Sequence, residues 1–328
     1  MSVVALTGCS GYLGQRLLAA LEGDEHVSKI VGIDVKPPST FFGKLDFYCM
    51  DVRDSEIPGI LQRTGTEKIV HLAFIVDAIH DTELMHSINI DGTRTILAAA
   101  SECAVEQLVI ASSTTIFMRP SPIPRWSKED DLPYPHPRLG YISDKFELES
   151  MVRSFRIEHP ETRVAVVRPA IVWGPNVNNY ISRYLTRMPV IIAVGRSRPE
   201  LQFVHEDDVA KVFTRVVQLG AEGYFHAVGA GTIRLDTLAR ILGKTLIGIP
   251  SCMLYPLVDL LWKLHAPFIE GPSAALDGIR YPWVVDDQKT RKTLGLGPRR
   301  SVEEVLRLVP GNRVLQRDHG QSDERSAR

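Results

Sequence analysis

The stretch Val3-Val4-Ala5-Leu6-Thr7-Gly8-Cys9-Ser10-Gly11-Tyr12-Leu13-Gly14 is an apolar run that passes into three glycines spaced three apart. A helical pattern begins directly after it, at Gln15. Glycine lets such a turn be tight and lets its backbone approach a pyrophosphate, while the free N–H groups at the helix N-terminus attract an anion. The stretch therefore predicts a strand, a phosphate-binding loop and a helix. A tight turn of purely structural origin is the alternative.

A second apolar run, Ile30–Ile33, ends in Asp34, twenty positions after Gly14. At this spacing a dinucleotide-binding fold places an acid against the hydroxyls of the adenosine ribose. A carboxylate there would repel a 2′-phosphate. We therefore expect NAD as the cofactor, and Lys36 two residues later keeps NADP as the alternative.

Composition and charge narrow the class of protein. The 328 residues carry a formal net charge of −1, which gives no broad electrostatic case for binding nucleic acid or an anionic membrane. The four cysteines lie far apart, so neither a zinc site nor a disulfide framework is indicated. A core strand begins at residue 3 and no apolar stretch reaches about 20 residues, so we expect no signal peptide, no transmembrane segment and a cytoplasmic protein.

Predicted strands and helices alternate along the chain. Strands are predicted at 46–50, 68–73, 107–111 and 164–167, and helices near 15–23, 55–63, 83–104 and 141–158. This alternation is typical of an α/β fold with a doubly wound parallel sheet, the Rossmann arrangement. We expect 1–169 to be mainly an NAD-binding domain and 170–310 mainly a small C-terminal substrate-binding region interleaved with its sheet. Residues 311–328 are predicted to be a mobile tail.

Polar side chains gather after the predicted strand at 107–111 and after the proline-rich loop over 119–140. Ser112-Ser113-Thr114-Thr115 follows the strand, and Tyr141 and Lys145 stand four apart at the start of a predicted helix. Both side chains then project from one face of that helix. A neighbouring ammonium and a cationic nicotinamide would lower the pKa of the phenol, which makes Tyr141 a candidate general acid and base.

Together these motifs resemble the extended short-chain dehydrogenase/reductase family, which contains nucleotide-sugar epimerases and dehydratases and the 3β-hydroxysteroid dehydrogenases. The resemblance covers roughly residues 3–309. It rests on the TGxxGxxG loop Thr7–Gly14, Asp51-Val52, His71-Leu72-Ala73-Phe74, Asn89–Thr93, the YxxxK pair Tyr141 and Lys145, Arg168-Pro169, Trp173-Gly174-Pro175, Phe203–Ala210 and the closing segment Val285–Gly295.

The resemblance implies a mechanism and a homodimer. Tyr141 would move the proton of a substrate hydroxyl, Lys145 would bind the nicotinamide ribose and keep the phenol acidic, and Ser113 would steady the substrate oxygen. Ser112 or Thr114 takes that last place if the register differs by one. For Asn89, a supporting role through its helix is the alternative to direct contact. The implied cofactor contacts are Gly8, Ser10, Gly11, Tyr12, Leu13, Gly14, Asp34, Asp51, Val52, Leu72, Ala73, Phe74, Asn89, Tyr141, Lys145 and Pro169.

The substrate half departs from the sugar-nucleotide pattern. Only 25 residues separate Pro175 from Leu201, which is short for a uridine diphosphate site. Arg183 and Arg187, four apart on a predicted helix, are candidates to clamp a diphosphate, with a solvated helix face as the alternative. The apolar segment 253–264 is either a core or subunit-contact helix, or a lid over an apolar substrate.

The expected function is that of an NAD-dependent oxidoreductase acting on a small molecule. Hydride would pass between a secondary alcohol or ketone and nicotinamide, with Ser113, Tyr141 and Lys145 in the catalytic roles. A nucleotide-sugar 4-epimerase with transient hydride transfer is the alternative, and a non-catalytic NAD(P)-sensing protein is a third candidate. Dehydration is disfavoured, since Thr114-Thr115 stands where dehydratases usually carry Asp-Glu. His71 and His205 lack companions at ligand spacing, so we predict structural histidines and no metal.

Overall fold

A parallel sheet forms the centre of the fold, with helices packed on both faces. The computed structural model describes residues 1–121, 126–135, 140–297 and 299–308. Its strands are β1 (Ser2–Thr7), β2 (Val27–Asp34), β3 (Leu45–Cys49), β4 (Lys68–His71), β5 (Gln107–Ala111), β6 (Arg163–Pro169), β7 (Ile171–Trp173), β8 (Val190–Val194), β9 (Glu200–Leu201), β10 (Phe203–His205), β11 (Gly223–Ala227), β12 (Ile233–Arg234) and β13 (Thr245–Ile249).

The helices belong to three types. The α-helices are α1 (Tyr12–Glu22), α2 (Ile57–Thr64), α3 (Thr82–His86), α4 (Gly92–Glu102), α5 (Gly140–Glu158), α6 (Tyr180–Arg187), α7 (Glu206–Leu219), α8 (Leu235–Ile241), α9 (Ser251–Lys263), α10 (Gln288–Leu294) and α11 (Val302–Arg307). Ser87–Asp91 is a π-helical turn, and Thr114–Phe117 and Ser273–Ile279 are 3-10 helices.

Seven strands form the central sheet in the order β11-β6-β5-β4-β1-β2-β3, and every neighbouring pair is parallel. The direction of winding reverses between β1 and β4, the point at which such sheets leave a crevice for a ligand. The predicted doubly wound parallel sheet is therefore confirmed. β11 comes from the second half of the chain and pairs with β6, but the domain boundary at 169/170 stays a prediction. The predicted tail over 311–328 lies outside the described residues.

Apolar side chains cover both faces of this sheet. One apolar cluster includes Leu17 of α1 and Phe213 of α7, and another includes Ile60 of α2, Ile96 of α4 and Val152 of α5. Strands that are buried on both faces are apolar along their whole length. This is why the sequence predicts the central strands so directly.

Most predicted elements lie within a few residues of the observed ones, and the helix predicted over 83–104 differs most. It is divided into α3, the π-helical turn and α4. A π turn adds a residue to the helical repeat, and such turns often occur at functional sites. Asn89 lies in this turn. The strand predicted over 68–73 ends at His71, so Leu72–Phe74 belong to the loop beyond the sheet.

The remaining elements form a smaller region beside the carboxyl end of the sheet. Trp173 of β7, Phe203 of β10 and Leu238 of α8 share a separate apolar cluster there. The apolar segment predicted at 253–264 is largely helix α9. Within the described ranges, no helix is both long and apolar enough to cross a membrane. The cytoplasmic location stays a prediction.

Candidate active site

The phosphate loop between β1 and α1 is shaped by close backbone approaches. Gly8 has φ +69°, and a Cβ on it would lie 2.7 Å from the backbone nitrogen of Ala73, in the loop after β4. A Cβ on Gly14 would lie 2.2 Å from the carbonyl oxygen of Gly8. The loop therefore closes directly on the crevice between β1 and β4. The first N–H groups of α1, which begins at Tyr12, remain available for an anion.

Asp34, at the end of β2, is tied to this loop. Its Oδ2 accepts a hydrogen bond of 2.9 Å from the backbone N–H of Ser10, and the Ser10 hydroxyl donates to the carbonyl of Lys36 at 2.6 Å. The predicted ribose-binding carboxylate thus lies beside the predicted pyrophosphate site. Lys36 contributes its backbone to this arrangement.

Asp51 and Val52 follow β3. Arg53 forms a two-point ion pair with Asp51, with both N–O distances at 2.8 Å, and this bonding holds the pKa of Asp51 below its ordinary value. Val52 is buried against Gly92, where a Cβ would lie 2.4 Å from its Cγ1. Arg53 was not among the predicted site residues. An arginine two positions after an aspartate forms no distinctive sequence motif, so the local sequence does not reveal this ion pair.

Asn89 supports the loop that follows β4. Its Oδ1 accepts a hydrogen bond from the Ile75 backbone N–H at 2.7 Å, and its Nδ2 donates to Asp144 at 2.9 Å. The side chain is fully buried. Direct cofactor contact is therefore corrected to the supporting role, because both ends of the amide are used inside the protein. Pro169, another predicted contact, is buried at the end of β6, opposite Ala227.

Ser113, two residues beyond the end of β5, lies near Tyr141 and Lys145 in the first turns of α5, as the sequence predicts. The Tyr141 hydroxyl faces the side chain of Ser113. The Nζ of Lys145 donates to the Ala111 carbonyl at 2.8 Å and lies 3.3 Å from the centre of the Phe74 ring. Phe74 in turn packs edge-on against Tyr141, with ring centres 5.8 Å apart. The three side chains therefore lie close together in one site.

Burial shifts the pKa values of Tyr141 and Lys145. It raises the pKa of Tyr141 to about 12, and the interaction with Ser113 offsets only part of that rise. Burial also lowers the pKa of Lys145 to about 7, against the opposing charges of Glu149 and Asp144. The expected lowering of the phenol pKa is thus not found in the chain alone, because desolvation outweighs the interaction with Ser113.

Thr114 is the sequence-based alternative to Ser113, but in the structure Thr115 is the threonine that contacts Ser113. The backbone N–H and the hydroxyl of Thr115 both donate to Ser113 Oγ, at 3.2 and 2.9 Å, and Thr115 lines the adjoining cavity. Thr114 is fully buried and does not line that cavity. The correction has a simple cause: a 3-10 helix turns about 120° per residue, so neighbouring side chains point in different directions. Ser112 instead donates to Glu149.

Arg183 and Arg187 do not form a clamp in the structure. Arg183 pairs with Asp77 at 2.9 Å and with Glu270 at 2.7 Å, whereas Arg187 is exposed at the end of α6. Two carboxylates already balance the charge of Arg183. The predicted diphosphate clamp is therefore wrong for this structure. The sequence could not indicate the pairing, because neither Asp77 nor Glu270 is close to Arg183 along the chain.

An apolar cavity of about 190 Å³ begins beside Tyr141 and extends beneath α9. Its polar side chains are few. Thr115, Tyr141 and Tyr180 are among them, while Tyr184 accepts a backbone N–H from Ile192 and Glu270 pairs with Arg183. Aliphatic and aromatic residues supply most of the wall, among them Met118, Leu185, Leu254, Val258, Leu276 and Trp283.

The two predicted structural histidines have such roles. His71 lies between the hydroxyls of Thr7 and Thr93, at 2.7 and 3.2 Å, and burial lowers its pKa to about 3. The Nδ1 of His205 accepts the Asp207 backbone N–H at the start of α7, which begins at Glu206. Among the described residues there is no group of three or more His, Cys, Asp or Glu placed to hold a metal ion.

Comparisons with known proteins agree with the observed fold. A sequence model of the NAD dependent epimerase/dehydratase family matches residues 4–229. A solved structure of UDP-glucuronic acid 4-epimerase from Bacillus cereus, in complex with UDP-glucuronic acid and NAD, has a TM-score of 0.72 and 17% identity. The match covers 94% of this chain and 97% of that one. At this identity the likeness shows the fold alone.

Two relatives in sequence extend the comparison. An uncharacterized protein of Mycobacterium tuberculosis is 24% identical over 311 residues, 93% of this chain and 82% of its own length. A 4-hydroxy-2-methyl-3-oxo-4-farnesyl-3,4-dihydroquinoline-1-oxide ketoreductase of Stigmatella aurantiaca is 26% identical over 191 residues, 55% of this chain and 53% of its own.

Proposed function

The chain belongs to the NAD-dependent epimerase/dehydratase family, and from this premise we propose that it is an NAD-dependent oxidoreductase interconverting a secondary alcohol and a ketone. One observation carries the proposal. The Tyr141 hydroxyl faces Ser113 beside an apolar cavity, and Lys145 lies one helical turn further along the same face. A phenol placed in this way moves a proton to or from a substrate oxygen.

The roles of the side chains follow from their hydrogen bonds. Thr115 donates twice to Ser113 Oγ, which leaves the Ser113 hydroxyl to donate toward Tyr141. Burial keeps the Tyr141 phenol protonated at neutral pH, so it is ready to give its proton to a carbonyl oxygen and to take one back in the reverse direction. Thr115 acts through Ser113 and is a positioning residue. Lys145 is held by Ala111 and Phe74 where its charge faces the phenol.

NAD fits the residues at the crevice, and when bound it accepts or supplies the hydride. The tight loop at Gly8 and Gly14 suits a pyrophosphate, because its backbone packs closely against the N-terminus of α1. We assign the adenosine ribose to Asp34. The Bacillus cereus epimerase named above was solved with NAD, which supports the same cofactor here.

Replacing Asp34 by alanine tests the cofactor assignment. Without the carboxylate the ribose hydroxyls lose an acceptor and a 2′-phosphate is no longer repelled. We expect the ratio of NADP to NAD affinity to rise by roughly tenfold, about 1.4 kcal/mol. Fluorescence titration with both cofactors measures it, and Asp46→Ala, which removes a surface carboxylate on β3, serves as the control. An unchanged ratio in Asp34→Ala would place the ribose elsewhere.

A nucleotide-sugar 4-epimerase is the second candidate, since a UDP-sugar epimerase shares the fold. Two observations favour net oxidoreduction. The cation best placed on α6, Arg183, is already paired with Asp77 and Glu270, and a ketoreductase is among the sequence relatives. The complete set of Ser113, Tyr141 and Lys145 argues against a protein that only senses the cofactor.

Tyr141→Phe is the decisive variant. It removes the proton-transferring oxygen and leaves the ring, so we expect turnover to fall by about 10²–10⁴-fold with NAD affinity nearly unchanged. Tyr184→Phe, another tyrosine of the same cavity, is the matched control. Wild type and variants are mixed with NAD or NADH and with apolar alcohols, apolar ketones and nucleotide sugars, and both cofactor absorbance and products are followed.

The outcomes of this experiment separate the candidates. Tyr141-dependent change in NADH supports the oxidoreductase. Conversion of a nucleotide sugar without net NADH indicates the epimerase. Full activity in Tyr141→Phe would contradict both the oxidoreductase and the epimerase assignments.

A further inference from the structure

The outer surface of α9 is apolar. Met253, Leu257, Leu260 and Leu264 are 64%, 48%, 55% and 67% exposed, and their spacing of four, three and four residues places them in one stripe along the helix. Phe268, just beyond the helix, is 55% exposed and also lines the cavity. We call these five residues the outer stripe. A contiguous apolar patch of this kind on a protein surface marks an interaction site.

The opposite side of α9 is anchored in the protein. Leu254 and Val258 line the cavity, Asp259 accepts the backbone N–H and the hydroxyl of Ser273, both at 2.9 Å, and the Tyr255 hydroxyl bonds to Asp277. At the far end the His80 ring stacks on Trp262, with centres 3.8 Å apart. The outer stripe is thus a fixed surface. One helix separates the apolar cavity from an apolar exterior.

The exposed charges on α9 and on two segments of the same region of the chain are cationic. Across residues 180–200 and 235–285, all within the described chain, the exposed charged side chains are Arg187, Arg196, Arg240 and Lys263, and none is a carboxylate. Two exposed carboxylates, Asp81 and Glu83, belong to a neighbouring segment. They follow His80, which stacks on Trp262 near the C-terminal end of α9. This local imbalance stands against a whole-chain net charge of −1. It complements an anionic surface.

The size and shape of the outer stripe favour lipid over a second copy of the chain. A standard protein interface uses about 20–30 residues a side, whereas the stripe has five, four along α9 and its C-cap and one just beyond it. An amphipathic helix that lies in the plane of a membrane buries just such a stripe at the boundary between headgroups and acyl chains, with cations at its edges.

We propose that the outer stripe seats the protein on an anionic phospholipid bilayer, and that an apolar substrate passes from the bilayer into the cavity beneath α9. The second part rests on the proposed function, and the first does not. Molecules that fill an apolar cavity partition into lipid, so a protein seated this way meets its substrate where the substrate is most concentrated.

Vesicle flotation tests the proposal with the full chain and bound NAD. The vesicles contain phosphatidylcholine, with or without phosphatidylglycerol. We expect wild type to float with the anionic vesicles and Leu260→Asp to lose at least about tenfold in binding, since it places a charge in the centre of the stripe. Ile157→Asp is the matched control, because Ile157 is 78% exposed on α5, outside the stripe. Lys263→Gln should weaken the preference for anionic vesicles.

Three outcomes overturn the proposal. One is absence of wild-type binding to either vesicle, and another is equal binding by wild type and Leu260→Asp. The third is a dimer, seen by sedimentation, that dissociates in Leu260→Asp while vesicles are ignored, which would assign the stripe to a second copy. Thermal unfolding of each variant verifies folding. Flotation needs no turnover, so a failure of the proposed reaction leaves its result interpretable.

Discussion

At the scale of single residues, the site depends on two titrating groups that burial pushes in opposite directions. The pKa of Tyr141 rises to about 12 and that of Lys145 falls to about 7, so each group favours its neutral form more than it would in water. A neutral phenol is a proton donor. Lys145, by contrast, gains or loses its charge near neutral pH, so its charge state is more sensitive to pH than that of Tyr141.

Lys145 should make stability depend on pH. In the unfolded chain its pKa is near 10.5 and in the folded chain about 7, so between these values the unfolded state binds more protons and the free energy of unfolding rises with pH. We expect the stability of wild type relative to Lys145→Met to increase as pH rises from 7 toward 9.5. Urea unfolding of the cofactor-free protein at several pH values measures it.

The control for this prediction is Lys263→Met, an exposed lysine on α9. Its stability difference from wild type should stay nearly constant over the same range. A flat difference for Lys145→Met as well would contradict the burial of an ammonium at the site.

At the scale of elements, the loop between β1 and α1 depends on backbone packing more than on side chains. Gly14 lies in the first turn of α1 and approaches both Gly8 and Cys9, where a Cβ would come within 2.2 and 2.8 Å. These contacts are with backbone atoms, which cannot rotate away. The loop and the helix therefore move together if a side chain is inserted.

Gly14→Ala should destabilise the protein by about 1–3 kcal/mol, as overpacking does, and weaken NAD binding. Gly23→Ala is the matched control at the other end of α1. Gly23 has φ −79°, and a Cβ there would meet nothing nearer than 3.8 Å, so we expect a change within about 0.5 kcal/mol. Thermal unfolding and NAD titration test both variants. Equal effects would mean that the loop tolerates a methyl group.

At the scale of the whole molecule, a buried ion pair connects the sheet to the region around the site. Arg168 of β6 makes a two-point bond with Glu149 of α5, at 2.6 and 2.8 Å, and its Nη1 donates to the Glu129 carbonyl. Ser112 donates to the same carboxylate. These contacts favour a structural role for Arg168, which belongs to the Arg168-Pro169 motif. The homodimer implied by resemblance stays a prediction.

Arg168→Met should cost about 3–5 kcal/mol, because it leaves the Glu149 charge buried without its partner. The double variant Arg168→Met with Glu149→Met should recover much of that loss, since both charges are then gone. Urea unfolding of wild type, both single variants and the double variant forms a complete cycle. Additive losses would show that the two side chains act independently.

The sequence by itself determined the features that depend on local spacing. The three glycines and the strand before them predict the phosphate loop, because backbone conformation at a turn is set by a few consecutive residues. Tyr141 and Lys145 share a helix face because they stand four apart. The central strands are apolar throughout since both of their faces are covered, and this too can be read from consecutive residues.

Only the tertiary structure decided the features that depend on residues far apart in the chain. Arg183 is paired by Asp77 and Glu270, 106 and 87 positions away, and no pattern near α6 indicates either partner. The direction of the Tyr141 pKa shift follows from burial by several elements, which outweighs the opposing interaction with Ser113. The cavity beneath α9 and the apolar stripe on its outer surface likewise arise from packing. Because α9 is apolar on two faces, its sequence does not indicate which face the rest of the protein covers.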